Sequence, residues 1–359
     1  MAASLDGQLQ DFLKQGTVIP AHPLALKSDR TLDVERQRAL TKYYLASGAG
    51  GIAVGVHTTQ FEIRDQGIDL YEPVLRLAAE EVNKSHVKSP FIKVAGIAGP
   101  SDQALNEAKT AKRLGYDLGL VSMGGLTDLS ESDHLERVKA VAEVIPVFGF
   151  YLQPAVGGRV FSYDFWRDFA ELPGVYAIKL APFDRYQTLD VVRAVCASSR
   201  NEEISLYTGN DDNIVADLLT EYHFRIGEKL VTKQIVGGLL GHWAVWTTKA
   251  VELLEKVKEA RQTGMVPLEL LRLGAEITDA NAALFDPFHQ FKGSIAGINE
   301  VLRRQGMLCE NICLSEKERL SPGQSEEIDR IYQQYPHLQD DEFIKEHIDR
   351  WLSAERAKK

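Results

Sequence analysis

The chain has 359 residues, 44% hydrophobic and 26% charged, which suits one large globular domain with an appendage or two domains. A formal net charge of −10 argues against nucleic acid or an anionic membrane as the main partner, yet leaves room for a small anionic substrate in a locally positive pocket. No basic segment followed by an apolar core opens the sequence, no apolar run approaches the roughly 20 residues of a membrane helix, and Cys196, Cys309 and Cys313 make a poor disulfide framework, so structural thiols in a reducing cytoplasm are expected.

Short apolar or β-branched runs recur along the first two-thirds: 17–21, 51–55, 91–96, 117–122, 144–151, 175–179, 204–209 and 233–241. Runs this short and this continuously apolar fit parallel strands buried on both faces. Helical spacing fills the gaps. Leu40, Tyr43 and Tyr44 share a face within 33–48; Ala104, Ala108 and Ala111 share one after Ser101, a candidate N-cap; Leu135, Val138 and Ala142 share another. Further helices are expected at 162–171, 187–199, 211–222 and 243–260, with Gly48, Gly50, Gly115 and Gly174 in tight turns back to the strands. Eight strands alternating with helices over residues 1–262 predict an α/β fold, a (β/α)8 TIM barrel. A doubly wound sheet is the competitor, but no GxGxxG or GxxxxGK[ST] follows any strand. Residues 263–359 read as a C-terminal helical extension, with helices at 267–284, 292–306, 314–334 and 340–357 and a fraying ERAKK end.

In such barrels the reactive groups lie at the C-terminal ends of the strands. Those positions hold His22, the HTTQ of 57–60, Ser122, Tyr151, Lys179, the TGNDD of 208–212, and Gly241 with His242. A desolvated strand-end lysine loses its proton more readily and can attack a ketone to form an imine, an electron sink for breaking or making a neighbouring carbon–carbon bond. Tyr151 ends the preceding strand, and adjacent strands stand about 4.8 Å apart, so its phenol is placed to shuttle protons. Thr58 and Thr59 offer hydroxyls and amides to a carboxylate. Each has a plainer reading: a solvated or salt-bridged lysine, a core tyrosine, turn threonines. His22, His57 and His242 lack HxH or HExxH spacing, and neither they nor Cys309 and Cys313 define a metal site. The GGR at 157–159 reads as a turn with an exposed arginine, with a carboxylate clamp by Arg159 as the other option.

Together these residues resemble the dihydrodipicolinate synthase/N-acetylneuraminate lyase family, the pyruvate-type class I aldolases. The family's Tyr-Asn-x-Pro appears here as Tyr151-Leu-Gln-Pro154, and its Gly-x-Lys as Ala177-Ile-Lys179, 28 residues (179 − 151) after Tyr151. Val56-His-Thr-Thr-Gln60 resembles the family's Gly-Thr-Thr-Gly-Glu, His22-Pro23 its Thr-Pro, and Thr208-Gly-Asn-Asp211 its Ser/Thr-Gly-x-Asp. The segment 292–308 resembles its C-terminal helices. The resemblance implies a Schiff-base lyase, aldolase, synthase or dehydratase acting on pyruvate or a related 2-oxo acid and an aldehyde, with no cofactor. Lys179 would form the imine and Tyr151 relay protons; Thr58, flanked by His57 and Thr59, would hold the carboxylate; Gly209 and Gly241 would border the substrate. A homo-oligomer, tetramer or dimer, is implied by resemblance only. The departures concern substrate: Gln60 replaces a glutamate, Met123-Gly-Gly125 stands where the synthases have Pro-Tyr-Tyr, and Leu180 follows the lysine where the family favours an acid. Two rival readings are a non-catalytic metabolite-binding barrel and a metal-dependent barrel lyase using His22, His57 and His242.

Overall fold

The computed structural model describes residues 1–85 and 90–352. Eight parallel strands form the barrel: β1 (Val18–Pro20), β2 (Gly51–Val54), β3 (Ile92–Ile97), β4 (Leu118–Val121), β5 (Val147–Leu152), β6 (Val175–Ala181), β7 (Ser205–Thr208) and, after a short antiparallel β8 (Glu221–Ile226), β9 (Lys229–Leu240). Their order is β1-β9-β7-β6-β5-β4-β3-β2. The ring closes between β1 and β2 through the parallel bridge Ala21–Ala53, where the His22 N–H donates to the Ala53 carbonyl at 2.8 Å. This is the (β/α)8 barrel expected from the alternating runs.

The connecting helices are α1 (Gly7–Gln15), α2 (Val34–Ala46), α3 (Tyr71–Lys84), α4 (Ser101–Arg113), α5 (Glu131–Ala142), α6 (Tyr163–Glu171), α7 (Arg185–Ala197), α8 (Ile214–Leu219) and α9 (Thr247–Thr263). Side-chain capping sets several of their starts. Ser130 accepts from the Asp133 N–H and Ser162 from the Phe165 N–H, supplying amides that lack an intrahelical partner. At Ser101, by contrast, the helix has already begun, and Pro100 stands at the cap. Strand residues alternate between two apolar layers. Ile19, Leu120, Phe148, Ala177 and Tyr207 fill the barrel interior, while Val147, Ile178, Leu180 and Leu206 face the helices. The first helix, α1, has no counterpart in the sequence reading. It plugs the N-terminal end of the barrel, where the Tyr207 hydroxyl donates to the Leu13 carbonyl at 2.8 Å.

Two segments depart from expectation. Residues 211–222 were expected as one helix, but α8 ends at Leu219 and the chain turns into β8, which pairs antiparallel with the first half of β9 from Glu221–Gln234 to Ile226–Lys229. Gly227, at φ 58°, is the first central residue of the two-residue turn, a position where a side chain would be strained. The strand's alternating exposed and half-buried residues give it the period of two that a helix lacks. After α9 the chain forms α10 (Leu268–Phe285), α11 (Ser294–Arg304), α12 (Gln324–Gln334) and α13 (Asp341–Leu352). Residues 314–319 were expected as helix and are irregular instead, while the interruption expected at 320–324 leads into α12. The expected fraying end, ERAKK, lies outside the described residues. Among the described residues no helix is long and apolar enough to cross a membrane.

Candidate active site

Lys179 sits in β6 with its side chain directed into the barrel mouth. Its Nζ stands over the Phe150 ring, 4.4 Å from the centroid, and the residue is 8% exposed. Burial pulls its pKa below the ordinary lysine value, since removing water penalises the ammonium; the negative charge of Asp211 opposes the shift. Gly209, next to it on the β7 loop, leaves the room the lysine occupies: a Cβ there would lie 2.5 Å from Lys179 Cε.

The expected Lys179–Tyr151 pair does not form. Val147 pairs with Val175 at the start of the β5–β6 ladder, which would bring Tyr151 opposite Lys179 four residues later. A one-residue shift follows at once, pairing Phe148 with Ala177, so Lys179 faces Phe150 and Tyr151 faces Leu180. Side chains alternate along a strand, so a one-residue slip exchanges the two faces. Tyr151 therefore points outward, 4.9 Å from the Trp166 ring centroid, and its hydroxyl donates to Gln187 Oε1 at 2.8 Å. Burial pushes its pKa up to about 12. The spacing of 28 residues was correct as a count and misleading as a contact.

The titratable groups that share the mouth cavity with Lys179 are Asp211 and His57. Asp211 belongs to the TGNDD segment, yet the sequence reading assigned it no role. One of its carboxylate oxygens accepts the His242 backbone N–H at 3.3 Å, and its carbonyl accepts Asn281 Nδ2 at 2.6 Å. Burial raises its pKa well above the carboxylate range, with the Lys179 charge opposing. His57 is lowered to about 4 by burial, with Lys179 adding to the shift, so its imidazole is neutral at pH 7. Thr58 lines the same cavity, and its hydroxyl donates to the Ala21 carbonyl at 2.8 Å. Thr59 is turned away: its hydroxyl donates to the His22 carbonyl at 2.6 Å and accepts the Gly55 N–H at 3.0 Å, so it shapes the loop that presents Thr58.

The rest of the wall is strongly aromatic. Phe150, Leu152, Phe183, Phe285 and Phe291 line it, with Gln153 and Ser294 as further polar groups. Phe183 and Phe291 both adopt left-handed backbone conformations, at φ 54° and 62°, and their rings meet edge to face with centroids 5.5 Å apart. Such conformations disfavour a side chain by about 1–2 kcal/mol and persist only where surroundings impose them. For Phe183 the surroundings are visible: its N–H donates to Asn210 Oδ1 at 3.0 Å. Asn210 Nδ2 donates in turn to the buried Asp217 at 2.9 Å, and Asp217 is ion-paired with Arg185. Phe285 on α10, Ser294 on α11 and Phe291 in the turn between them come from the C-terminal extension, which thus supplies part of the mouth. None of these aromatic positions carried a signal in the sequence.

The other candidates lie apart. His22 is fully buried behind β1, with Nε2 2.9 Å from Thr41 Oγ1, and burial lowers its pKa to about 4. His242 lines a separate hollow between α9 and α10 with Trp246 and Leu253. The three histidines thus do not converge, and no cluster of metal-binding residue types stands elsewhere among the described residues. Arg159 donates to the Leu129 carbonyl at 2.7 Å and lies over the Phe161 ring; it does not line the mouth. Gly241 does line it, beside Phe285. Gln60, at φ 68°, accepts the Leu314 N–H at 2.6 Å and ties the β2 loop to the extension.

Fold and site define a class: a (β/α)8 barrel with a buried lysine on the sixth strand opening into a cavity at the C-terminal face. No family model matches the chain. It is 27% identical over 206 residues to the N-acetylneuraminate lyase of Citrobacter koseri, an alignment covering 56% of this chain and 65% of the lyase. The chain thus spans less than two thirds of the length of the curated relatives it matches. The dihydrodipicolinate synthase of Oceanobacillus iheyensis superposes with a TM-score of 0.71 at 18% identity, over 91% of this chain and 99% of the synthase. The Acinetobacter baumannii dihydrodipicolinate synthase, determined with pyruvate, superposes at 0.70 and 18% identity, over 89% and 98%. In sequence the chain is thus similar to N-acetylneuraminate lyases, and in fold to the dihydrodipicolinate synthases.

Proposed function

We propose that this protein is a Schiff-base lyase or aldolase acting on pyruvate or a closely related 2-oxo acid. The observation that carries the reading is the buried Lys179 amine in the mouth cavity: among the described residues it forms no ion pair, and burial favours its neutral, nucleophilic form. The curated relatives support it, being N-acetylneuraminate lyases; so does the pyruvate in one of the matching synthases.

In the cleaving direction Lys179 attacks C2 of a 4-hydroxy-2-oxo acid, and loss of water gives the imine. The C3–C4 bond breaks, its electron pair moves into the imine to form an enamine, and the C4 hydroxyl gives up its proton as the aldehyde leaves. C3 then takes a proton, and water hydrolyses the imine to release pyruvate. Condensation runs the same steps backwards. A carrier for these protons must face the lysine, and Asp211 meets that requirement where Tyr151 does not: it lines the cavity, and its raised pKa lets it hold or release a proton near neutrality. Thr58 and the turn it opens receive the carboxylate of the oxo acid.

The test is incubation with pyruvate and borohydride, followed by peptide mass spectrometry. A reduced pyruvyl adduct on Lys179 is expected. An intact lysine after treatment with a panel of 2-oxo acids overturns the reading and leaves a barrel that binds metabolites without covalent chemistry. A tetramer or dimer, expected from the family resemblance, is checked by light scattering.

A further inference from the structure

The mouth cavity has few polar side chains for its size. Lys179, Asp211, His57 and Thr58 line it, and much of the remaining wall is Phe150, Leu152, Phe183, Phe285 and Phe291. Among the described residues no arginine lines it, and Arg159 is engaged by the Leu129 carbonyl. Once Lys179 is an imine, no second cation on the wall can pair with a carboxylate on the incoming aldehyde. A polyhydroxylated chain fares no better. It needs a donor or acceptor for each buried hydroxyl, and beyond Lys179, Asp211 and Thr58 the polar side chains on the wall are His57, Gln153 and Ser294. The two left-handed phenylalanines, Phe183 from the β6–α7 loop and Phe291 from the segment before α11, meet in this wall.

Resting on the Schiff-base reading, we infer that the aldehyde partner is apolar: the substrate is a 4-hydroxy-2-oxo acid whose C4 carries an aromatic or branched aliphatic group, packed against Phe183 and Phe291. Cleavage yields pyruvate and that aldehyde, with the water lost on imine formation returned at hydrolysis. The polar end is read by Lys179, Asp211 and Thr58 and the apolar end by Phe183 and Phe291.

The full chain is assayed for pyruvate consumption with benzaldehyde and 2-methylpropanal, against N-acetylmannosamine and 4-oxobutanoate. The apolar aldehydes are expected to show kcat/KM higher by about 100-fold or more, because buried hydroxyls or a carboxylate left without partners are strongly rejected. Equal or better use of the polar aldehydes, or no turnover of either apolar one while pyruvate is trapped on Lys179, overturns the inference and leaves the Schiff-base reading standing. Failure of trapping removes both. In the second arm, Phe291→Asn keeps a residue that tolerates the left-handed backbone and deletes the ring. It is expected to lower kcat/KM for benzaldehyde at least about tenfold more than for acetaldehyde, a ratio independent of how much protein folds. Phe183→Asn is expected to do the same. Equal losses for both aldehydes in the two variants count against the inference.

Discussion

A single lysine and its immediate neighbours carry the chemistry proposed here. Gly209→Ala puts a methyl group 2.5 Å from Lys179 Cε, so the lysine must swing out of its pocket; borohydride trapping with pyruvate is expected to fall about tenfold or more, a loss of at least ~1.4 kcal/mol in transition-state stabilisation. Tyr151→Phe deletes one hydrogen bond to Gln187 on the outer face. It is expected to lower stability by about 1 kcal/mol and leave turnover within a few-fold, whereas Asp211→Asn is expected to lower kcat about 100-fold or more. A dead Tyr151→Phe beside an active Asp211→Asn, in steady-state assays, would reverse the assignment. The lysine also carries a linkage signature. Its folded pKa is lower than its unfolded one, so between the two values the unfolded chain binds more protons and stability rises with pH; below both, the full penalty of the buried ammonium applies. Lys179→Met is therefore expected to be about 1–2 kcal/mol more stable than the parent at neutral pH, the gain shrinking as pH rises into the ordinary lysine range, as read by urea melts.

The elements explain why a residue pattern that looked complete was not. The sixth strand could be recognised because VYAIK is short, apolar and preceded by Gly174, although the strand runs on to Ala181. Its parity could not, because 144–151 and 175–181 are apolar on both faces, and a run without alternation carries no record of which side points inward. The register shift at Val147–Phe148 decides it, and no propensity announces a one-residue slip. The extension holds the site by a different device. Gln324, at the start of α12, donates to the carbonyls of Ala283, Leu284 and Gly293 and accepts the Ser321 N–H at 3.0 Å, fixing the bend between α10 and α11 that aims Phe285 and Phe291. Gln324→Leu leaves several buried backbone groups unpaired. A loss of about 2–3 kcal/mol in chemical denaturation is expected, with KM for the aldehyde rising more than the rate of pyruvate trapping falls.

The molecule works as one packed body even though its sequence divides near residue 262. Asp340 accepts from the Tyr43 hydroxyl at 2.8 Å and from the Thr248 N–H at 3.1 Å, so the start of α13 is bonded to both α2 and α9. Asn281 on α10 holds the loop that carries Asp211, and Leu314 holds Gln60 on the β2 loop. Ending the chain at residue 262 would strip these partners and expose Trp246, Leu253 and Tyr43. Such a truncated chain is expected to aggregate or to lack a cooperative thermal transition, rather than to persist as a free barrel with a wider mouth.

The local sequence was enough to determine the barrel, the helical extension, and the strand ends at which Lys179, Thr58 and Asp211 emerge. Strand length, helical period and turn residues are local properties, and a lysine within a buried apolar strand is costly enough to be conspicuous. Which residues meet at that lysine was decided only by the tertiary structure. A register shift turned Tyr151 out and Phe150 in, and helices more than a hundred residues away supplied Phe285, Phe291 and the bond that sets Asp211. Contacts between distant segments depend on how the layers pack, and packing leaves no periodic trace in the chain.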